Sequence, residues 1–451
     1  MKKQIIVINS PLFETENHTN TEDYLPPLGL GVIISAIESK CEVVFIDALA
    51  DNLGINEIVA RVQAINPAYA CINVFTTNYS LVNRIVEQTK SATHWIIGGI
   101  STKSLYKEIF NWKTENPIDV VFGDGESIVN AIIDSKVLEK PVDTSPKRRY
   151  YIVEPTSKYF ARNISEESVN RSVFKYEPQN NTYGKKEVSI YTSRGCPYNC
   201  AYCVAARTRN SELGAIRRKT VTSIILELEG LKGRYPELDA IRILDDLFLL
   251  NYDSFRDAIS IFSKFRFSWR AMCHIKSIAS VENAELEGIA KAGCKELFIG
   301  IESGSPAILK AIHKTEDIRV ITNSVSRVLA MGISVKGYFI CGLPDETLED
   351  LDKTVELATN LTNIRKRGAG RFRNSTFQFR PYLGTELYDN IVMTKKIPYY
   401  SILSSMKTSE KLNDEVRNKS FNFDSGNYSS VGDDVLRLYI KRMNDLNEQH
   451  S

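Results

Sequence analysis

Short apolar runs alternate with helical patterns along this chain in two separate series. That alternation limits the fold before any single residue is considered. In the first series the expected strands are Ile5–Asn9, Glu42–Asp47, Ala70–Phe75, Trp95–Gly98 and Ile118–Phe122. Periodic segments near Leu28–Ser39, Glu57–Ile65, Ser80–Lys90 and Lys103–Phe110 lie between them, with another at Ser127–Ile133 after the last strand. Apolar strands that each lead into a helix predict a parallel sheet covered on both faces. Five such units make an open doubly wound domain over residues 1–137. From residue 187 the alternation resumes with a period of about forty residues. The expected strands are Val188–Thr192, Ala240–Leu244, Phe267–Ala271, Glu296–Ile301, Ser334–Ile340 and Thr376–Phe379, with helices such as Val221–Leu231 and Leu348–Thr359 between them. Residues 138–186 are less regular, hold a basic and aromatic patch (Lys147-Arg148-Arg149-Tyr150-Tyr151), and read as a linker. Beyond residue 390 the chain is polar and ends in a helical pattern, Asp434–Asn447, expected to close the edge of the second series.

A length of 451 residues leaves room for two or three domains. The formal net charge is +2, so the composition makes no electrostatic case for nucleic acid or an anionic membrane. The apolar run Ile5-Ile6-Val7-Ile8 is too short for a signal peptide or a span, and reads as a buried first strand. Eight cysteines, three of them clustered, suit a reducing cytoplasm.

Those three occur in Ser193-Arg194-Gly195-Cys196-Pro197-Tyr198-Asn199-Cys200-Ala201-Tyr202-Cys203, directly after the first strand of the second series. Thiolates on one short loop can hold three irons of a 4Fe–4S cube and leave the fourth open for a small molecule. A structural zinc site would need a fourth Cys or His, which the neighbouring residues do not supply. The remaining cysteines, Cys41, Cys71, Cys273, Cys294 and Cys341, read as small buried thiols.

Cys196, Cys200 and Cys203, with the aromatic Tyr202 before the third, resemble the radical SAM family. The resemblance implies that the open iron chelates S-adenosylmethionine (SAM) and that reduction yields a 5′-deoxyadenosyl radical. It also implies a partial (β/α)6 TIM barrel over residues 187–390, with chemistry at the C-terminal ends of its strands. Gly300-Ile301-Glu302-Ser303-Gly304-Ser305 is similar to the family's fourth-strand motif, which assigns Glu302, beside Ser303, to the SAM ribose hydroxyls. Asp245-Asp246-Leu247-Phe248 is similar to its second-strand ending, where Asp245 could contact SAM or substrate or could cap the next helix. Arg270 resembles a family arginine that ends the third strand and faces the site. Gly337-Tyr338-Phe339-Ile340-Cys341-Gly342-Leu343-Pro344-Asp345-Glu346-Thr347 is similar to the fifth-strand motif, which puts the backbone at Gly342 alongside adenine. Pro381-Tyr382-Leu383-Gly384-Thr385-Glu386-Leu387-Tyr388 resembles the sixth-strand ending.

In the first domain the loop after the first strand, Asn9-Ser10-Pro11-Leu12-Phe13, has no glycine and cannot cradle a pyrophosphate. NAD and FAD are therefore excluded. Pro26-Pro27-Leu28-Gly29-Leu30, Gly98-Gly99 and Gly123-Asp124-Gly125-Glu126, with Thr76 after the third strand, instead resemble the Rossmann-like cobalamin-binding domain that precedes many radical SAM domains. Pro26, Thr76, Gly98, Gly99, Gly123, Gly125 and Glu126 are the cobalamin contacts this implies. The Asp-x-His-x-x-Gly cobalt-ligand motif is absent, and neither His18 nor His94 has its context. The expected fold is thus α/β: a doubly wound B12-binding domain, a partial barrel and a small helical C-terminal region. The expected activity is methylation of an unactivated carbon in a small molecule, with a 4Fe–4S cluster, SAM and cobalamin as cofactors and a flavodoxin or ferredoxin as reductant. Non-methylating radical chemistry is the alternative. A tRNA methylthiotransferase is disfavoured, because only Cys41 and Cys71 precede the main motif.

Overall fold

A computed structural model describes residues 2–11, 24–364, 370–405 and 427–448. His18 and the Leu12–Phe13 end of the first loop lie outside the described residues. The chain divides into two compact units. Unit 1 comprises Met1–Thr182, Val204–Arg217 and Tyr382–Lys419; unit 2 comprises Tyr183–Cys203, Arg218–Pro381 and Ser420–Ser451.

In unit 1 the strands β1 (Lys3–Asn9), β2 (Cys41–Asp47), β3 (Tyr69–Asn73), β4 (His94–Gly98) and β5 (Ile118–Gly123) are joined in order by α1 (Leu28–Ile37), α2 (Ile55–Ile65), α3 (Tyr79–Gln88) and α4 (Thr102–Phe110). Helix α5 (Glu126–Ile133) follows β5. The sheet order β2-β1-β3-β4-β5 is parallel throughout. Ile5, Val7, Ile34, Ile37, Val121 and Ile128 share one core, because strands apolar on both faces leave water only when helices cover each side. Burying each such side chain contributes roughly 1.5–3 kcal/mol.

The 138–186 linker expectation needs correction. Residues Asp143–Ser145 (β6) and Arg148–Val153 (β7) extend the same sheet, β7 parallel to β5 and β6 antiparallel to β7. Two arginines of the basic patch are tied into this sheet. Arg148 is buried and donates to the carbonyls of Asn116 and Thr114 at 2.8 and 2.7 Å, and Arg149 grips Asp119 with two 2.6 Å bonds.

Two further stretches expected in the barrel cluster with unit 1 instead. Residues Val204–Arg217 are fastened there by Lys103 to Glu212 (2.7 Å) and by Arg217 to Asp124. The Pro381–Tyr388 motif also departs from its expected place. Gly384 has φ +79°, a Cβ there would lie 2.3 Å from Ser104 Oγ of α4, and Thr385 caps the helix Glu386–Lys395 of the same unit.

Unit 2 holds six parallel strands, neighbours in the sheet in sequence order: β8 (Lys186–Ile190), β9 (Ala240–Ile243), β10 (Ser268–Cys273), β11 (Cys294–Glu302), β12 (Ser334–Cys341) and β13 (Phe372–Gln378). Helices follow the strands in alternation, as a partial barrel requires. The helix Asp433–Glu448 lies along β13, where Asn374 donates to Met443 O at 2.8 Å and Asn447 donates to Asn374 O at 2.9 Å. It covers the edge strand, as the polar C-terminal pattern predicted.

The first halves of these strands carry a buried ion network. Arg270 makes paired bonds of 2.8 and 2.7 Å to Glu187, and Glu296 takes 2.7 and 3.0 Å bonds from Arg373. Arg270 is therefore corrected: it is the third residue of β10, 1% exposed, and is spent on a carboxylate in the strand-start layer.

Candidate functional site

The cysteine loop begins where β8 ends. Its entrance is held by Asp245, which accepts from Thr192 N (2.6 Å), Thr192 Oγ1 (2.5 Å), Ser193 N (3.0 Å) and Ser193 Oγ (2.8 Å). Burial pushes the Asp245 carboxyl up in spite of these four donors. The helix-cap alternative fails, since the next helix, Tyr252–Phe262, is capped by Asn251. Asp245 faces the loop with both oxygens, so it acts on anything bound there through the loop. Farther along, Gly195 N–H donates to Asp246, Ala201 N donates to Ile312 O at 3.2 Å, and His313 Nδ1 meets Asn199 O at 2.9 Å. Each turn of the loop thus has a backbone or side-chain anchor in unit 2.

None of the three loop cysteines is in a disulfide; Cys200 is buried, while Cys196 and Cys203 are half-buried. Burial pushes the Cys196 thiol up, and it deprotonates when a metal takes it. Among the described residues no three His, Cys, Asp or Glu side chains converge as ligands of a single ion. Convergence is what one zinc requires. A cubane asks only for separate thiolates, one for each of three irons, and this donor set fits that demand.

Opposite the loop, β11 ends in Glu302. The register against β12 slips between Gly300 and Glu302, and Glu302 has φ +71°, uncommon for a residue with a side chain. Strain of this kind marks sites where the surroundings dictate a side chain's aim. The carboxylate is buried and takes 2.6 Å from Tyr202 Oη and 3.2 Å from Lys314 Nζ. A Cβ on Gly300 would lie 2.2 Å from Glu302 Oε1 and 3.0 Å from Lys314 Nζ, so only glycine leaves room for the pair. Burial disfavours charge on Lys314, but Glu302 and the thiols of Cys200 and Cys203 outweigh it and hold its ammonium above the ordinary lysine range. Burial and then Glu302 push the Tyr202 phenol well up. The aromatic residue of the cysteine motif and the glutamate 100 positions later therefore form one unit.

Ser303, expected beside Glu302 as a cofactor contact, is fully buried and turned away. Its Oγ pairs with Thr354 Oγ1 at 3.0 Å and accepts from Ser305 N at 3.1 Å. Gly304 has no room for a side chain, since a Cβ would lie 2.2 Å from Lys353 O. Gly342 has φ +88° after β12, and its N–H donates to Glu346 Oε2 at 2.6 Å. Burial raises the Glu346 carboxyl to about 7.

The sequence reading passed over Lys314 and His274, and gave Glu346, inside the fifth-strand motif, no role of its own. His274 was findable, because it directly follows β10, where chemistry sits in such barrels. Lys314 carries no such signal, because it lies beyond a short helix (Pro306–Ala311) that only folding brings back to the strand end.

In unit 1 the glycine loops lie at the C-terminal strand ends, the side on which open parallel sheets bind ligands. Gly99 and Gly123 are exposed, with φ +120° and +99°, and a Cβ on either would meet a backbone carbonyl at 2.6 Å. Gly98 faces open space, and Glu126 is half-buried in the first turn of α5. Other expected contacts turn inward. Thr76 is buried and accepts at Oγ1 or donates to Ser101 Oγ (3.3 Å), Pro26 is buried, and Gly125 makes way for Ile33, 2.8 Å from where a Cβ would be. His94 begins β4 at the opposite end of the sheet from those loops and meets Asp119 at 3.0 Å.

The sequence matches the Radical SAM superfamily over residues 190–358 and the B12 binding domain over residues 18–133. An uncharacterized methyltransferase of Pyrococcus horikoshii, PH0819, is 26% identical over 425 residues, which is 88% of this chain and 87% of the relative. By structure the chain resembles TsrM of Kitasatospora setae, a radical S-adenosylmethionine methyltransferase, with TM-score 0.65 and 17% identity over 87% of this chain and 76% of that one. It also resembles OxsB, a cobalamin-dependent S-adenosylmethionine radical enzyme, with TM-score 0.65 and 15% identity over 88% of this chain and 62% of that one. Among the described residues no helix is long and apolar enough to cross a membrane. The chain is thus a radical SAM enzyme that also carries a B12-binding domain, and its cofactors are a 4Fe–4S cluster, SAM and cobalamin.

Proposed function

We propose that the chain transfers a methyl group to an unactivated carbon of a small molecule. When bound, the cluster and SAM supply a hydrogen-abstracting radical, and cobalamin supplies the methyl group. The chain's own residues bind and orient. Cys196, Cys200 and Cys203 would ligate three irons, and Asp245 keeps the loop entrance in place through Thr192 and Ser193. Glu302 would accept the ribose hydroxyls of SAM, a charge-assisted contact made from a carboxylate already aimed by Tyr202 and Lys314. The backbone at Gly342 would lie beside adenine, its loop braced by Glu346. In unit 1 the loops carrying Gly98, Gly99, Gly123 and Glu126 would receive cobalamin, with Pro26, Thr76 and Gly125 supporting them from beneath.

The observation that carries the reading is the Tyr202–Glu302–Lys314 triad beside three cysteine side chains of one loop. A structural cluster has no use for a strained, buried carboxylate at its side. Methyl transfer, in preference to another radical reaction, is supported by the methyltransferase names of the relatives. The reductant would be a flavodoxin or ferredoxin, and the setting the cytoplasm.

The test is anaerobic reconstitution with iron, sulfide and hydroxocobalamin, followed by SAM, a strong reductant and candidate substrates. Methyl transfer yields S-adenosylhomocysteine together with 5′-deoxyadenosine. Production of 5′-deoxyadenosine alone would replace methylation with another radical reaction, and no spectral change on adding cobalamin would remove the methyl-transfer half.

A further inference from the structure

His274 stands at the mouth of the barrel without an assigned role. It follows the last residue of β10, and its Nδ1 accepts from Lys276 N at 3.0 Å. That bond fixes the tautomer, so the neutral ring carries its proton on Nε2. The ring stacks on Tyr198, with centroids 4.1 Å apart and planes 26° apart. Tyr198 lies between Cys196 and Cys200, so His274 is packed against the cysteine loop itself. The residue is 8% exposed, and no described residue takes a hydrogen bond from its Nε2. Burial, followed by the charges of Lys314 and Lys276, lowers the imidazole to about 3, so it is neutral at working pH.

A helix cap explains only half of this ring. Asp or Ser would accept from Lys276 N as well, and would leave no N–H donor beyond the cap. An imidazole N–H that no described residue takes, in the field of the Lys314 and Lys276 ammonium groups, suits an anionic oxygen. Lys314 also bonds Glu302, so the positive field here adjoins the ribose-binding carboxylate of the reading above.

We propose that His274 donates a hydrogen bond from Nε2 to the methionyl carboxylate of SAM and so orients it over the cysteine loop. This rests on the reading that SAM binds at this mouth. The contact makes His274 a SAM-binding residue that no motif in the sequence announces.

Equilibrium dialysis on reconstituted wild type, His274→Leu and His274→Gln, with SAM and with decarboxylated SAM, tests it. His274→Leu should weaken SAM about tenfold, the loss of one bond to a charged acceptor. His274→Gln, which keeps an N–H donor, should stay within about twofold of wild type. Decarboxylated SAM should bind wild type and His274→Leu alike. Equal SAM affinity in wild type and His274→Leu overturns the assignment, as does an equal loss of both ligands. Iron content and cluster absorption verify that each variant is loaded. If His274→Leu loads poorly, His274→Gln decides alone, and a tenfold loss in it overturns the proposal. Failure of wild type to bind SAM would sink the SAM-site reading itself, a separate result.

Discussion

The two ends of the barrel strands in unit 2 both bury charge, and they do it in opposite ways. Near the strand starts Arg270 meets Glu187 with two bonds, and Arg373 meets Glu296 with two more. Arg270 and Arg373 each meet a carboxylate in a planar, bidentate pair, the geometry in which a buried pair recovers its desolvation cost. At the strand ends Glu302 is held by single bonds from Tyr202 and Lys314 on a backbone of positive φ. The lower layer is closed to ligands because its partners saturate one another. The upper layer is provisional, because a ligand with hydroxyl donors can take up the same carboxylate. The difference teaches that burial alone does not mark a site; incomplete pairing under strain does.

The largest effect that would break this contrast comes from the cysteines. Cys196→Ala, Cys200→Ala or Cys203→Ala should abolish the 4Fe–4S absorption and electron paramagnetic resonance signals, and reduce 5′-deoxyadenosine to background. Circular dichroism should stay native, since no strand depends on these thiols. A variant that kept the cluster would sink the upper-layer reading. Arg270→Met should strip Glu187 of its two guanidinium bonds and cost roughly 3–5 kcal/mol in denaturant unfolding. SAM affinity in the surviving folded protein should not change; a parallel fall in affinity would mean that the lower layer belongs to the site. Glu302→Gln should do the reverse, with SAM bound about ten- to a hundredfold more weakly by dialysis and an unfolding midpoint close to wild type.

The smallest effect concerns Glu346, whose carboxyl burial raises from 4.5 to about 7. A raised acid means that the unfolded chain gives up its proton first as pH rises. Wild type should therefore lose stability between about pH 4.5 and 7 relative to Glu346→Gln. The two melting curves should converge below that window and keep a constant gap above it. A gap that widened on acidification would show that Glu346 is ionised in the fold and belongs with the paired lower layer.

The cysteine loop and Glu302 were legible in the sequence because a short motif carries all the ligands or a strand end carries the acid. Arg270 was misplaced by the same reasoning. A motif reports which strand a residue lies on, and three positions along that strand separate a saturated ion network from a ligand face. Ser303 was misjudged because its neighbour's backbone turns at positive φ, which sends the two side chains apart.

The sequence by itself determined the alternation of strands and helices, the two parallel sheets and the cysteine donor set, since apolar periodicity and ligand spacing are local properties. Only the tertiary structure decided that the basic patch at 147–151 is a sheet strand, that residues 204–217 fold with unit 1, and that Lys314 and His274 flank the cysteine loop. These depend on which distant groups share a desolvated space. Charge pairing and packing settle that question across a hundred residues or more, and no local pattern records it.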